Sequence, residues 1–373
     1  MEKQILVSGY YGMNNTGDDC LLSVTAWGLR TFLNSNRIFV TTNKIPDFMK
    51  PEAVAPVYAH RQVIKGQYRI SEWITAFQSK TVIFGGGSVF HSVSDMKRKM
   101  ELLRLSGKGP HYAIGVSLGP FSSKEAEKYC LELLKHISFT GLRDQKSFDI
   151  AQAFSSDINF RKTFDLAPLL LRAHNMTYDQ LISSSSKRSG IGIALCDYER
   201  FVGGNTSREN MRRAKLINTI KALPKSLIDE IVLIDFNGHG YFGDSRIHAD
   251  IRNGIAPELK VRHIPYIDNP LVVLKEIGKL RLLISMRLHA TIFGFIANTP
   301  TIVLSYHQKC RGWASQIKLS EEYVLDSAEF EVSQLRQLIM EILDGKFNEP
   351  QLRFPEAERL AMINFVMLGA NNR

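Results

Sequence analysis

Short runs rich in Val and Ile recur along all 373 residues, separated by amphipathic stretches, and this alternation constrains the chain more than any other feature. Continuous apolar runs of four to eight residues mark strands buried on both faces. Helical-period stretches between them mark the crossovers that parallel strands require. In the first half the runs are Gln4 to Ser8, Ile38 to Thr42, Thr81 to Phe84, Tyr112 to Val116 and Ile137 to Gly141. The second half repeats the scheme with Gly190 to Leu195, Ile231 to Phe236, Val261 to Ile264, Leu282 to Ser285 and Thr301 to Ser305. Helices are expected between them, for instance over Arg208 to Ala222 and Pro270 to Lys279. The polar stretch Ser183 to Ser189 has no apolar period and reads as a linker, so the domains are expected at 1–180 and 187–373. The fold class is therefore α/β, with two Rossmann-like α/β/α domains facing across a cleft.

Composition narrows the partners. Apolar residues make up 44% and charged residues 23%, values of a globular chain without a large disordered part. The excess of 47 Lys+Arg over 37 Asp+Glu gives a formal +10 and favours anionic partners such as phosphorylated metabolites, polyprenyl-phosphate lipids or an anionic membrane surface. No zinc finger, basic zipper or aromatic-studded RNA motif accompanies that charge, so no nucleic-acid partner is expected. Cys20, Cys130, Cys196 and Cys310 are far apart in apolar or helical contexts and read as buried thiols; no metal is implied. The chain enters a strand at once without a secretory signal, which gives a cytoplasmic expectation. No apolar run approaches the ~18 residues of a membrane span, so any membrane contact would be peripheral.

Chemistry-bearing residues gather where the runs end, at the carboxyl edges where parallel sheets bind ligands. The first strand leads into Gly9-Tyr10-Tyr11-Gly12-Met13-Asn14-Asn15-Thr16-Gly17-Asp18-Asp19. Thr16 with Asp19 reads as a capping box, whereas Tyr10, Tyr11, Asn15, Gly17 and Asp18 read as a ligand loop, because glycine allows close backbone approach and tyrosine offers a face and a hydroxyl. Gly85-Gly86-Gly87 reads either as an amide cradle after its strand or as a tight turn. Arg143 reads as a cleft-edge cation or as a surface partner of Asp144 or Asp149, and Asp165 as a loop-fixing or site carboxylate. His239 and Asp244, on the Gly-rich loop after Ile231 to Phe236, either contact a ligand or shape the loop. Arg287 and His289 stand two apart after Leu282 to Ser285, so an extended chain projects both to one side. Lys309 and Arg311 follow the neighbouring strand. That convergence of cations with a residue able to move protons near neutral pH points to an anionic substrate.

Taken in order, Gly9-Tyr10-Tyr11-Gly12 with Asn15-x-Gly17-Asp18, the Gly85 to Gly87 triplet, Arg143-Asp144 with Ser147, Asp165, Ser285-x-Arg287-x-His289 and Lys309-x-Arg311-Gly312 resemble the polysaccharide pyruvyl transferase family. The resemblance implies a GT-B-like fold and transfer of pyruvate from phosphoenolpyruvate onto two sugar hydroxyls as a ketal, with phosphate released. Phosphoenolpyruvate would be the co-substrate, with no further cofactor. Carried over by position, His289 would be the principal catalytic residue with Arg287 beside it. Arg143, Lys309, Arg311 and Ser285 would bind the donor. Tyr10, Tyr11, Asn15, Gly17, Asp18, Gly86, Gly87 and His239 would line the acceptor side. Asp19 stands where many relatives carry Glu, and Ser92 or His91 where relatives often carry an acid, which bears on acceptor contacts. The glycan acceptor is compatible with a polyprenyl-diphosphate carrier. Two rival readings share the features: a GT-B glycosyltransferase using a nucleotide sugar, and a non-catalytic carbohydrate-binding protein.

Overall fold

The computed structural model describes residues 4–58, 63–107, 109–154, 157–183, 188–255 and 257–370. They form two compact units. The first holds a seven-stranded sheet of β1 (Gln4–Ser8), β2 (Arg37–Val40), β3 (Val54–Pro56), β4 (Thr81–Phe90), β5 (Tyr112–Leu118), β6 (Phe139–Leu142) and β7 (Phe160–Lys162) in the order β3-β2-β1-β4-β5-β6-β7. Every pairing is parallel. The crossovers include α1 (Thr16–Leu33), α2 (Gln67–Gln78), α3 (Val93–Leu105), α4 (Lys124–Leu134) and α5 (Gln145–Phe154), with α6 (Leu170–Ala173) after the last strand. Leu6, Val82, Phe84, Ala113 and Val116 carry the sheet side of a core against Ala76, Leu102, Leu103, Cys130 and Leu133 from the helices. These strands are apolar on both faces because helices cover both, as the run pattern requires.

The second unit contains a six-stranded parallel sheet of β8 (Ile191–Ala194), β9 (Ile231–Ile234), β10 (Val261–Ile264), β11 (Leu282–Ser285), β12 (Thr301–Ser305) and β13 (Val324–Asp326), in the order β10-β9-β8-β11-β12-β13. Its helices are α7 (Tyr178–Ser183), α8 (Tyr198–Val202), α9 (Thr206–Lys221), α10 (Ser245–Ile255), α11 (Pro270–Gly278), α12 (Leu288–Ile296), α13 (Gln308–Gln316) and α14 (Val332–Leu343). Asn269 caps α11 by accepting the Leu271 amide at 3.0 Å, with Pro270 at the first helical position where its missing N–H costs nothing.

The division of the chain differs from the one expected at the Ser-rich stretch, of which 184–187 lie outside the described residues. Residues 13–17 group with the second unit, and 355–370 return to the first. The return is made by α15 (Phe354–Ala370). Asn364, fully buried on that helix, accepts from the Gly115 amide at 2.9 Å and the Thr163 hydroxyl at 3.1 Å. Phe365 packs edge-on to Trp27 and stacks with Phe32. Nothing local in the sequence of α15 distinguishes these long-range partners from the nearer sheet. Among the described residues no helix is long and apolar enough to cross a membrane.

Candidate functional site

Two groups of polar side chains sit at the carboxyl ends of the strands, one in each unit. In the first unit, Arg143 follows β6 and is buried, not a surface cation paired with Asp144 or Asp149. Its Nη1 donates to Asp165 at 2.7 Å and its Nε to Ser117 Oγ at 2.8 Å. Ser117 in turn donates to Asp144 at 2.6 Å, and Asp144 caps α5 through the Ser147 amide at 2.8 Å. Asp165 also accepts the Ala167 amide at 2.9 Å. The buried guanidinium is thereby matched by a carboxylate fixed beside it, so that the cost of desolvating the charge is offset by a partner. Ser117, which links the pair to the helix cap, carries no local sequence signal.

The loop after β1 serves packing more than ligand binding. Tyr11 is 2% exposed, and its hydroxyl donates to the Gly85 carbonyl at 2.7 Å. A Cβ on Gly9 or on Gly85 would lie 2.5 Å from the Tyr11 ring or hydroxyl, so these two glycines make room for it. Tyr11 is thereby removed from the candidate ligand surface, whereas Tyr10 stands 47% exposed. The glycine triplet is not a turn after the strand. β4 runs through it to Phe90, with positive φ at Gly86 and Gly87 and a register shift between Gly87 and Phe90 against β5. A Cβ on Gly86 would meet Leu21, and Gly87 faces open space.

Residues 13–17 lead into α1, and the cap is Asn15 rather than Thr16. The Asn15 Oδ1 accepts the Gly17 amide at 3.0 Å, while the Thr16 hydroxyl is buried without a hydrogen-bond partner. The same segment pairs with the chain after β9. Asn15 bridges Asn237, the Thr16 amide donates to the Phe236 carbonyl at 2.9 Å, and the Gly238 amide donates to the Asn14 carbonyl at 2.8 Å. Asp18 is half-buried in the first turn of α1.

In the second unit, Asp244 organises the group. It is fully buried; its Oδ2 accepts the Phe236 amide at 2.9 Å, the Asn237 amide at 3.0 Å and Arg287 Nε at 3.1 Å, and its Oδ1 accepts Arg287 Nη2. Burial by itself would lower the Arg287 pKa; the Asp244 carboxylate, through its charge and its hydrogen bonds, is the main group that together with its neighbours turns the net shift upward. The Cys196 thiol, close to this cation, is pushed up to about 12 by burial despite it, which makes it a packing residue and not a nucleophile. All four cysteines are free and buried, as their contexts suggested.

Arg287 and His289 do not share one side of an extended strand. β11 ends at Ser285; Arg287 is the cap of α12 and His289 lies in its first turn. Ser285 is buried and donates to the Arg287 carbonyl at 2.9 Å, so it turns the backbone and offers no exposed hydroxyl. Ser305 repeats this, donating to the His307 carbonyl at 3.3 Å, and His307 caps α13 by accepting the Lys309 amide at 3.1 Å. His289 and Lys309 thus occupy equivalent first-turn positions of two neighbouring helices that follow two adjacent parallel strands. Arg311 is exposed on α13. His239 shapes its loop: its Nδ1 accepts the Tyr241 and Phe242 amides at 3.1 and 3.0 Å.

Gly17 lies against the His289 ring. A Cβ there would sit 2.1 Å from Nδ1 and 2.3 Å from Cγ. The Asn15-x-Gly17 pair therefore has a physical account: one residue caps, the other leaves space for the imidazole. Gly17→Ala is expected to displace His289 and cut turnover at least tenfold while the substrate KM changes little, since a misplacement of about 1 Å can cost ~10²-fold. Steady-state kinetics beside a melting curve checks this.

One further cluster could be read as a metal site: Asp235, His248 and His263. The hydrogen bonds assign it otherwise. His248 Nε2 accepts the Leu195 amide at 3.1 Å, so Nδ1 carries the proton and donates to Asp235 at 2.5 Å, and both ring nitrogens are committed.

The chain is 25% identical over 271 residues to the amylovoran biosynthesis protein AmsJ of Erwinia amylovora, a match spanning 68% of this chain and 64% of that relative's own length. Among solved structures, the UDP-GlcNAc 2-epimerase of Neisseria meningitidis bound to UDP-GlcNAc superposes with a TM-score of 0.63 at 10% identity over 100% of each chain. Anabaena HepE, in complex with UDP and glucose, does so with a TM-score of 0.58 at 13% identity over 100% of this chain and 98% of that one. At such identities the likeness concerns the fold alone, which is GT-B-like. A family model, Polysaccharide pyruvyl transferase, matches residues 15–308, from the Asn15 cap to the residue before Lys309, and takes in Asp244, Arg287 and His289. A match over that much of the sequence means that this chain belongs to the polysaccharide pyruvyl transferase family.

Proposed function

We propose that the protein transfers the pyruvyl group of phosphoenolpyruvate to two hydroxyls of a glycan, forming a ketal and releasing phosphate. The observation that carries this reading is the pairing of His289 and Lys309 on adjacent helix N-termini, with Arg287 fixed between β11 and α12 by Asp244. Phosphoenolpyruvate bears a carboxylate and a phosphate. Helix N-termini offer amides and a positive dipole end to such groups, and cations complete the neutralisation.

In this mechanism a proton is delivered to C3 of the enol, which becomes the ketal methyl. A first sugar hydroxyl adds to C2 and gives up its proton. Phosphate leaves with the electrons of the C2–O bond, and the second hydroxyl adds to C2. One hydroxyl proton balances the proton placed on C3, and the other leaves with phosphate. His289 is the acid/base of the first step, and Arg287, Lys309 and Arg311 hold the donor's anionic groups. The chemistry calls for phosphoenolpyruvate as co-substrate and no further cofactor. The acceptor in this reading is a glycan of a cell-surface polysaccharide or its polyprenyl-diphosphate-linked precursor, met at the inner membrane face.

The test is phosphoenolpyruvate-dependent phosphate release, with a matching gain in acceptor mass, over a panel of synthetic and lipid-linked glycans. The structural neighbours named above hold UDP or UDP-GlcNAc, which keeps a nucleotide-sugar glycosyltransferase as the rival. A ligand that binds only the native state raises the melting temperature. A rise with phosphoenolpyruvate and none with UDP-sugars is expected; the reverse would overturn the reading. Lys309→Ala, at a half-buried position, is expected to weaken phosphoenolpyruvate binding about tenfold or more, through loss of a charge-assisted contact of ~1.5–3 kcal/mol. Calorimetry measures it, and an unchanged affinity removes Lys309 from the donor site.

A further inference from the structure

Helix α2 of the first unit has its polarity reversed relative to a helix that packs on a core and faces water. Glu72 points inward and is 2% exposed, taking Arg98 Nε at 2.6 Å, with Tyr58 also on the carboxylate. Outward point Ile70 (49% exposed), Trp73 (38%), Ile74 (54%) and Phe77 (77%). The spacing i, i+3, i+4, i+7 puts them on one stripe. Val63 and Ile64, 85% and 64% exposed, lie just upstream of the helix. Isolated apolar residues on a surface need no explanation, but a contiguous stripe of large ones marks an interaction surface.

The charges around the stripe are predominantly positive. From 63 to 80 the exposed ionisable residues are Lys65, Arg69 and Lys80, and Glu72, the acid in that span, is the buried one. The carboxylate next to the stripe, Glu101 of α3, is taken up by Arg69 at 2.6 and 2.9 Å and by Trp73 Nε1 at 3.3 Å; these hydrogen bonds hold it below the usual carboxylate range. The Arg69 guanidinium lies 5.1 Å from the centre of the Trp73 ring.

We propose that α2 is an interfacial helix that seats the protein on an anionic lipid surface, with Ile70, Trp73, Ile74 and Phe77 entering the headgroup region and Lys65 and Lys80 meeting lipid phosphates. An apolar stripe with tryptophan, flanked by cations, is the pattern of helices that lie in a membrane plane. Charge complementarity selects lipid over a second copy of the chain: two copies meeting through this face would bring like charges together, whereas anionic headgroups supply the opposite sign, in keeping with the +10 of the whole chain. The inference needs neither phosphoenolpyruvate nor glycan, so it stands or falls apart from the pyruvyl-transfer reading.

Co-sedimentation of the full chain with phosphatidylcholine vesicles, with and without phosphatidylglycerol, is the test. The protein is expected to pellet with the anionic vesicles and stay in solution with the neutral ones. Trp73→Ser with Phe77→Ser, and separately Lys65→Glu with Lys80→Glu, are each expected to reduce partitioning about tenfold or more. All four positions are solvent-exposed, and unchanged melting curves establish that the variants fold. A wild-type chain that binds neither vesicle, or a serine variant that pellets like wild type, would overturn the proposal. So would a wild-type dimer in light scattering that the serine variant turns into a monomer, because the stripe would then be a subunit interface.

Discussion

Asp244→Ala is expected to destabilise the second unit by about 3–5 kcal/mol, seen as a melting temperature lower by roughly 10 °C. The magnitude follows from what is left behind. Asp244 is wholly buried and Arg287 is 17% exposed, so removing the carboxylate leaves a desolvated guanidinium and two backbone amides, those of Phe236 and Asn237, without acceptors. The pair is not stabilising merely because it is an ion pair; the cost arises from breaking one half of it. Asp244→Ala combined with Arg287→Met is therefore expected to recover a large part of the lost stability, though not activity. If the double variant melts as low as the single one, the stranded charge is not the cause. Differential scanning calorimetry on the three proteins decides between the two.

His289→Ala is expected to act in the opposite way, on rate and not on stability. The ring is half-buried at the first turn of α12 and lies against Gly17, so its loss leaves a small gap beside backbone. General acid/base catalysis contributes about 10²- to 10⁴-fold, and turnover should fall by that much while the melting curve moves little. If His289 delivers the proton to C3, kcat falls and KM for phosphoenolpyruvate changes less, because the contribution is made in the transition state. Near-normal transfer by a folded His289→Ala protein removes the acid/base assignment. Gly17→Ala tests the same residue by a second route, since it leaves the imidazole chemistry in place and alters its position.

Much of this was legible in the sequence for a simple reason: a strand covered by helices on both faces must be apolar throughout, and such runs are visible without any partner. Gln4 to Ser8, Val261 to Ile264, Leu282 to Ser285 and Thr301 to Ser305 coincide with observed strands. The three strands that left no such run, β3 (Val-Ala-Pro), β7 (Phe-Arg-Lys) and β13 (Val-Leu-Asp), are three residues long and lie at sheet edges, where one side has no partner strand and polar residues and proline are tolerated. The residue types of the candidate site were also legible, because cations and a histidine after apolar strands are unusual enough to notice. Their partners were not. Asp165 lies 22 residues from Arg143, and Asp244 lies 43 residues from Arg287. A carboxylate on a loop reads the same whether it caps a turn or neutralises a distant guanidinium.

The α/β class, the parallel strands and the placing of Arg287, His289 and Lys309 at strand ends were thus set by local pattern, since backbone hydrogen bonding and burial act over a few residues. Tertiary structure alone decided which of those groups are held and by what: Tyr11 withdrawn onto Gly85, Arg143 onto Asp165, Arg287 onto Asp244, Gly17 cleared for His289, and α15 returned to the first unit through Asn364. Each of those outcomes depends on two segments far apart in the chain meeting at a few ångströms, and no spacing within either segment encodes the other.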